Sequence, residues 1–315
     1  MRRVHFGCSQ CGACCNSAPQ LALPELFHHQ ARFIGCLGVR RVSLVRPALD
    51  ADTLVALSEF LPRYAQRVTS STPGMHYVAI TTQAYDDPGA GRCAALGADQ
   101  RCGLENDRKP LACRVVPLEA GLPDSFQLSV LEERARDAAF MGADCIQPVA
   151  ATTPDTKAHL PVLVAGARVV DAESRRALEQ RRRELVADKA YWGDRVFELL
   201  RRDVFEHPER FAALPEQGYL CLSLAPALSV VSSLSNALTR RVIDYLNAQI
   251  ELVALTVGPP VKEPTQAQRE LGGMLRANLA LRARLQSARP LPEPRPQAAE
   301  VEAWLSGPRT QVLHA

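Results

Sequence analysis

Four cysteines crowd the stretch "HFGCSQCGACCNS" as Cys8, Cys11, Cys14 and Cys15, and nine of the chain's ten cysteines lie before residue 150. A chain of 315 residues buries enough core to fold without covalent staples. The thiols are therefore not explained by the need to hold a small domain together. In a reducing compartment, clustered cysteines read as metal ligands or catalytic groups rather than disulfides.

That compartment is expected to be the cytoplasm. The start "MRRVHFGCSQCGACC" is basic but then turns polar instead of apolar, unlike a secretory signal. The most apolar later stretch, "LCLSLAPALSVVSSLSNALT" from Leu220, is diluted by serines and reads as a buried helix rather than a membrane span. No membrane partner is expected. With 47% hydrophobic residues and a net charge of +3, the composition is that of a globular chain with no electrostatic case for nucleic acid. The run Arg181, Arg182, Arg183 shares its helix with Glu173, Glu179 and Glu184 and is expected to form a solvated, salt-bridged face.

The expected fold is α+β and mainly α: an irregular cysteine-rich N-terminal region with short strands, then a helical C-terminal region. The corresponding boundaries are 1–150 for a metal-binding domain, 151–288 for a helical domain and 289–315 for a proline-rich tail. Residues 147–161 read as a linker. Apolar spacing predicts a helix in 22–34 with Pro24 in its first turn, and another over 50–66 with an Asp cap, bent near Pro62. Residues 75–85 read as a strand, as do 125–133, and 161–171 as two short strands joined through Ala165 and Gly166. Helices are expected over 171–189, 191–205, 225–257 and 264–286. The tail, 287–300, is expected to be extended or disordered, with Trp304 and Leu305 available to dock back.

A CxxCxxC run curls so that successive sulfurs converge, and Gly12 eases that curl because it adopts positive φ without penalty. The fourth thiol departs from a ferredoxin run by following at once. Adjacent side chains diverge on extended backbone, so Cys15 either serves a second centre or is a spare thiol. The second half of the constellation is "GRCAALGADQRCGLENDRKPLACRVVP", with Cys93, Cys102 and Cys113 separated by turn signals, and Cys145 is the eighth candidate ligand. Arg92, Arg101 and Arg114 adjoin these thiols and are positioned to lower their pKa. Cys36 and Cys221 have no partner at ligand spacing and read as core residues.

These residues resemble the YkgJ-type cysteine-cluster family, whose pattern is an aromatic before CxxCxxCC and a later segment of the form C, leucine, C, RPxxCRxxP. Phe6 with Cys8, Cys11, Cys14 and Cys15 matches the first part, and Cys93, Leu96, Cys102, Pro110, Cys113, Arg114 and Pro117 match the second. Cys145 matches a less regular downstream cysteine. Lys109 stands where the family has arginine, with Arg108 one place earlier, and Val116 where it often has an aromatic.

The resemblance implies zinc or iron–sulfur binding by all eight cysteines. Thiolates suit both metals. It also implies an alternative, since the family is related to flagellin lysine-N-methylases: an iron–sulfur, S-adenosylmethionine-dependent lysine N-methyltransferase acting on a protein substrate. A zinc-stabilised interaction module is a third reading. The chain has no GxGxxG after a strand, no GxxxxGK, no HExxH and no CxxxCxxC, so it offers no common nucleotide loop or zinc-protease signature, and no catalytic residue is identified. The adjacent His28 and His29 read as buried or surface-polar, with His5 and His76 as secondary ligand candidates. "YWGD" at Tyr191–Asp194 reads as an aromatic anchor between helices.

Overall fold

The structure, a computed structural model, describes residues 2–44, 50–69, 74–86, 91–104, 109–140, 142–149, 160–258 and 263–307. The fold is α+β and mainly helical, with two small antiparallel sheets. In chain order its first elements are β1 (Arg3–Phe6), α1 (Leu23–His28), β2 (Gly35–Leu44), α2 (Ala51–Phe60), β3 (Ala65–Val68) and β4 (Met75–Ala84). There follow α3 (Leu111–Val115), α4 (Gln127–Phe140), β5 (Ile146–Val149), β6 (Val162–Ala165), β7 (Arg168–Val169) and α5 (Ala172–Asp188). The last are α6 (Asp194–Leu200), α7 (Pro208–Ala212), β8 (Leu220–Ser223), α8 (Ala225–Ser232), α9 (Asn236–Val257), α10 (Gln266–Ser287) and α11 (Ala298–Leu305).

Two compact units emerge, each assembled from three stretches: Met1–Pro19, Leu44–Arg63 and Ala90–Val186 in one, and Gln20–Ser43, Tyr64–Gly89 and Ala187–Ala315 in the other. In the first, β1 lies between β5 and β6, with β7 at the edge, giving the order β5-β1-β6-β7. Phe6 opposes Ile146 and Val4 opposes Val164. Val4 and Val164 are fully buried, as is Leu131 on α4, which packs against this sheet. α2 opens as its sequence predicts: the Thr53 amide donates to the Asp50 carboxylate at 2.8 Å. Near Pro62 the helix passes into a 3₁₀ turn, Leu61–Arg63.

The second unit holds the sheet β3-β4-β2-β8 beneath the long helices. α9 buries Leu238, Val242, Tyr245, Leu246 and Val253 along one stripe, and α10 buries Leu271, Met274 and Leu281. Gln249, also buried, accepts from the Gly35 amide at 2.8 Å and donates to the carbonyls of Gln30 and Phe33. It thereby satisfies backbone groups where α1 gives way to β2. Trp192 is fully buried with its indole N–H donating to Asp188 at 2.7 Å, while Tyr191 packs on Trp304 at 4.9 Å between centroids. The aromatic pair thus anchors α11, and Ala298, Val301 and Leu305 are buried behind it.

Several expectations need correction. Residues 125–133 do not form a strand: a 3₁₀ turn leads into α4, because Leu128 and Leu131 bury at helical rather than alternate spacing. The stretch from Leu220 begins as β8 before it becomes α8. The helix expected over 225–257 is broken at Ser233–Ser235, where the Ser235 hydroxyl accepts from the Leu238 amide and caps α9. Residues 189–205 widen into π-helical turns at Lys189–Gly193 and Arg201–Phe205. Arg181 is not solvated: it is 2% exposed and paired with Glu184 at 3.6 Å. Arg182 leaves its own helix to meet Asp124 at 2.7 Å and lies over Phe60. Most of the expected linker, 150–159, lies outside the described residues, as does Arg108. Among the described residues no helix is long and apolar enough to cross a membrane.

Candidate metal centre

All eight predicted cysteine ligands belong to the first unit. Cys8 lies two residues past the end of β1, and the chain then curls through Gly12, whose φ of 75° is the left-handed conformation its sequence position predicts. A 3₁₀ turn, Ala13–Cys15, follows, closed by the Cys15 amide donating to the Gly12 carbonyl at 2.8 Å. This turn overturns the expectation that the adjacent thiols diverge. On a tight turn instead of extended backbone, the Cys14 and Cys15 side chains are hydrogen-bonded to each other.

The second segment is fastened to the first by backbone. The Cys93 amide donates to the Cys15 carbonyl at 2.8 Å. From Cys93 the chain makes a small hairpin in which Leu96 pairs with Cys102 and the Gly97 amide meets the Arg101 carbonyl at 2.8 Å. A Cβ on Gly12 would lie 2.9 Å from the Gln100 carbonyl oxygen, so this glycine also admits the hairpin tip to the first turn. The Ala95 amide donates to the Cys93 sulfur at 3.4 Å, a loop N–H aimed at a thiol in the manner that stabilises thiolate ligands. Cys113 sits in α3, whose first turn opens on Pro110. Two side chains of α4 hold the loop that follows: Gln127 bonds both the amide and the carbonyl of Glu119, and Arg134 donates to the carbonyls of Pro117 and Leu118.

α4 then returns the chain to Cys145, whose carbonyl accepts from the Gly7 amide at 3.1 Å as β5 begins beside β1. Three segments far apart in sequence therefore meet. The Cys15 thiol has Cys14, Cys93 and Cys113 as its strongest electrostatic neighbours, and Cys145 has Cys11, Cys8 and Cys14. Cys102 shares the hairpin with Cys93. Cys8, Cys11 and Cys14 are exposed, Cys15, Cys102, Cys113 and Cys145 half-buried, and Cys93 buried. The arrangement runs from an open outer group to a covered inner one, and Cys14 borders both.

The thiols of the adjacent pair differ. The hydrogen bond from Cys15 brings Cys14 down to about 6, opposed by burial and helped by its own backbone amide and by Lys109. The same bond pushes Cys15 far above the ordinary thiol range, with burial and the neighbouring sulfurs adding to the rise. Burial also raises Cys145. The cation acting on Cys14 is thus Lys109, the residue standing where the resemblance expects arginine.

Among the described residues no three His, Cys, Asp or Glu side chains are already gathered as a metal-holding group. The donor chemistry nevertheless fits a thiolate-bound metal: neighbouring sulfurs, a backbone amide on Cys93 and a lysine charge at Cys14, whose pKa is lowered. The candidate histidines have partners of their own. His5 is 1% exposed with Nδ1 at 2.8 Å from the Leu160 carbonyl, and His76, in the other unit, has Nδ1 at 3.1 Å from the Ser43 hydroxyl. His29 is buried and packs edge-on against Phe33, with His28 beside it at the surface.

Sequence spacing missed one thiol pair. Cys36 and Cys221 are not isolated core residues: strands β2 and β8 bring them together, and their side chains are hydrogen-bonded. Only the strand register reveals this. Comparison with protein-family models, with curated proteins and with solved structures finds no match for the chain.

Proposed function

We propose that this protein is a cytoplasmic metal-binding protein of cysteine-cluster type, in which Cys8, Cys11, Cys14, Cys15, Cys93, Cys102, Cys113 and Cys145 form one composite site for zinc or an iron–sulfur cluster. The observation that carries the proposal is the meeting of the three cysteine segments. Cys15 neighbours Cys93 and Cys113, and Cys145 neighbours Cys8, Cys11 and Cys14, across more than a hundred residues of chain. Thiolate donors of this kind bind zinc or iron–sulfur clusters in preference to hard, oxygen-seeking ions. Once bound, zinc would knit the segments together, and a cluster would add the capacity to accept and release an electron.

The test is metal analysis with visible absorption on protein purified without oxygen. Iron with sulfide and a brown colour identifies a cluster, and stoichiometric zinc in colourless protein identifies a zinc site. Protein that carries neither metal, with every thiol reacting freely while the fold persists, contradicts the proposal.

A further inference from the structure

In the β2–β8 pairing Cys36 opposes Ser223 and Gly38 opposes Cys221. Opposed residues share a face of the sheet and alternate residues along a strand return to it, so all four lie on one face, with the two cysteines on a diagonal. The space over Gly38 is taken by Gln83 from β4: a Cβ on Gly38 would come within 2.7 Å of Gln83 Oε1. From there Gln83 Nε2 donates to Cys221 Sγ at 3.5 Å. Gln83 is itself only 6% exposed. A buried amide reaching across a glycine to a sulfur is a placed contact, one that a plain apolar core does not need.

The two thiols are not equivalent. Cys36 is fully buried, packed among Tyr85, Val253, Leu271 and Met274, whereas Cys221 is partly exposed at the margin of that cluster. On the opposite face of β2, the Tyr245 hydroxyl is buried, has no hydrogen-bond partner among the described residues, and lies against Gly35, the residue before Cys36. The hydrogen bond from Cys36, together with the one from Gln83, favours the thiolate at Cys221 against the opposing effects of burial, Glu270 and Asp86. The same thiol–thiol bond and burial keep Cys36 protonated.

We propose that Cys36 and Cys221 are a redox-active dithiol, separate from the metal site, that closes to a reversible disulfide by exchange with a low-molecular-weight disulfide such as oxidised glutathione. The Cys221 thiolate attacks one sulfur of that disulfide, forming a mixed disulfide and releasing one glutathione thiolate, which takes up the proton Cys221 has lost. Cys36 then gives up its proton and attacks Cys221 Sγ, breaking the mixed disulfide and releasing the second glutathione, which takes up that proton. Two protein thiols are oxidised by two electrons and one oxidised glutathione becomes two reduced ones. Diagonal neighbours on antiparallel strands stand ~7–8 Å apart, wider than the ~5.5–6 Å usual for bridged cysteines, so closure pulls the strands together. A bond formed under that constraint is readily reduced, which suits a switch more than a staple.

Trypsin leaves each thiol alone in its peptide, Cys36 in 33–40 and Cys221 in 211–240. Full-length protein, as purified, is incubated with oxidised glutathione, alkylated, digested and analysed by mass spectrometry. The expected result is a disulfide joining these two peptides that disappears on reduction with dithiothreitol. In Cys36→Ser and Cys36→Ala proteins a glutathione adduct should persist on Cys221. The proposal is overturned if in the unaltered protein the adduct persists on Cys221 while Cys36 is still alkylated, if neither thiol is consumed, or if Cys221 becomes linked to another peptide. The unaltered protein alone decides the question, so a variant that fails to fold does not obscure it. The outcome is also independent of the metal content found for the eight-cysteine site.

Discussion

At Gly12 two requirements coincide: a φ of 75° and a close approach of the Gln100 carbonyl. Left-handed backbone costs a residue with a side chain about 1–2 kcal/mol, and a methyl group at Gly12 also presses on backbone that cannot swing away. Gly12→Ala should therefore lower stability by at least that amount in denaturant titration and speed alkylation of Cys15, while Gly91→Ala, where no atom approaches within 4 Å, should leave Cys15 protected. The neighbouring pair offers a sharper residue-level contrast. Cys15 faces Cys93 and Cys113, whereas Cys14 also faces Cys145. Cys14→Ser and Cys15→Ser should thus differ in the metal content they retain. Equal losses would mean that the two sulfurs act on a single centre in the same way. The CxxCxxCC spacing made the curl at Gly12 legible beforehand. The thiol contact was not, because it depends on the 3₁₀ turn that a string of residues does not announce.

α4 illustrates what governs position at the scale of an element. It carries no proposed ligand, yet Gln127 and Arg134 hold the loop after α3, and its C-terminal end delivers Cys145. Gln127 is fully buried, so Gln127→Leu orphans backbone groups of residues 119–123 at about 1–3 kcal/mol for each group left unsatisfied. The expected readout is a lower unfolding midpoint with faster alkylation of Cys113. α5 offers an independent check. The Ser174 amide donates to the Asp171 carboxylate at 2.7 Å, which holds that carboxyl below its ordinary pKa. The cap's contribution is complete above the ordinary carboxylate pKa and fades as pH falls through the lower folded value. Asp171→Ala should cost about 1 kcal/mol near neutral pH, and the gap from the unaltered protein should close in acid. Long amphipathic helices such as α5 and α10, and the strand β4, were readable because their periods repeat over many residues. Short runs were not. The apolar spacing in 125–133 fits a strand or a helix, β2 is interrupted by Gly38 and an arginine pair, and β8 looks like the start of α8 until it finds β2 as a partner.

Across the whole molecule, the cysteine segments at 8–15, 93–113 and 145 share one compact unit that alternates along the chain with stretches of the other. Composition carries no trace of such interleaving, since it is set by which strands pair: β1 with β5 and β6 in one unit, β2 with β8 in the other. The same dependence on pairing hid the Cys36–Cys221 dithiol while leaving the eight-cysteine pattern visible. If metal fastens the three segments, removing it with a chelator should raise hydrogen exchange over β1, the Cys93–Cys102 hairpin and β5, and leave the cores of α9 and α10 protected. Uniform loss of protection would instead mark a role for metal in the stability of every element alike. The most direct test of the composite site is metal content per chain in Cys11→Ser, Cys93→Ser and Cys145→Ser proteins, one thiol from each segment, each checked for a folded circular dichroism spectrum. The account predicts that all three bind less metal than the unaltered protein. Full metal content in folded Cys93→Ser and Cys145→Ser proteins would contradict it.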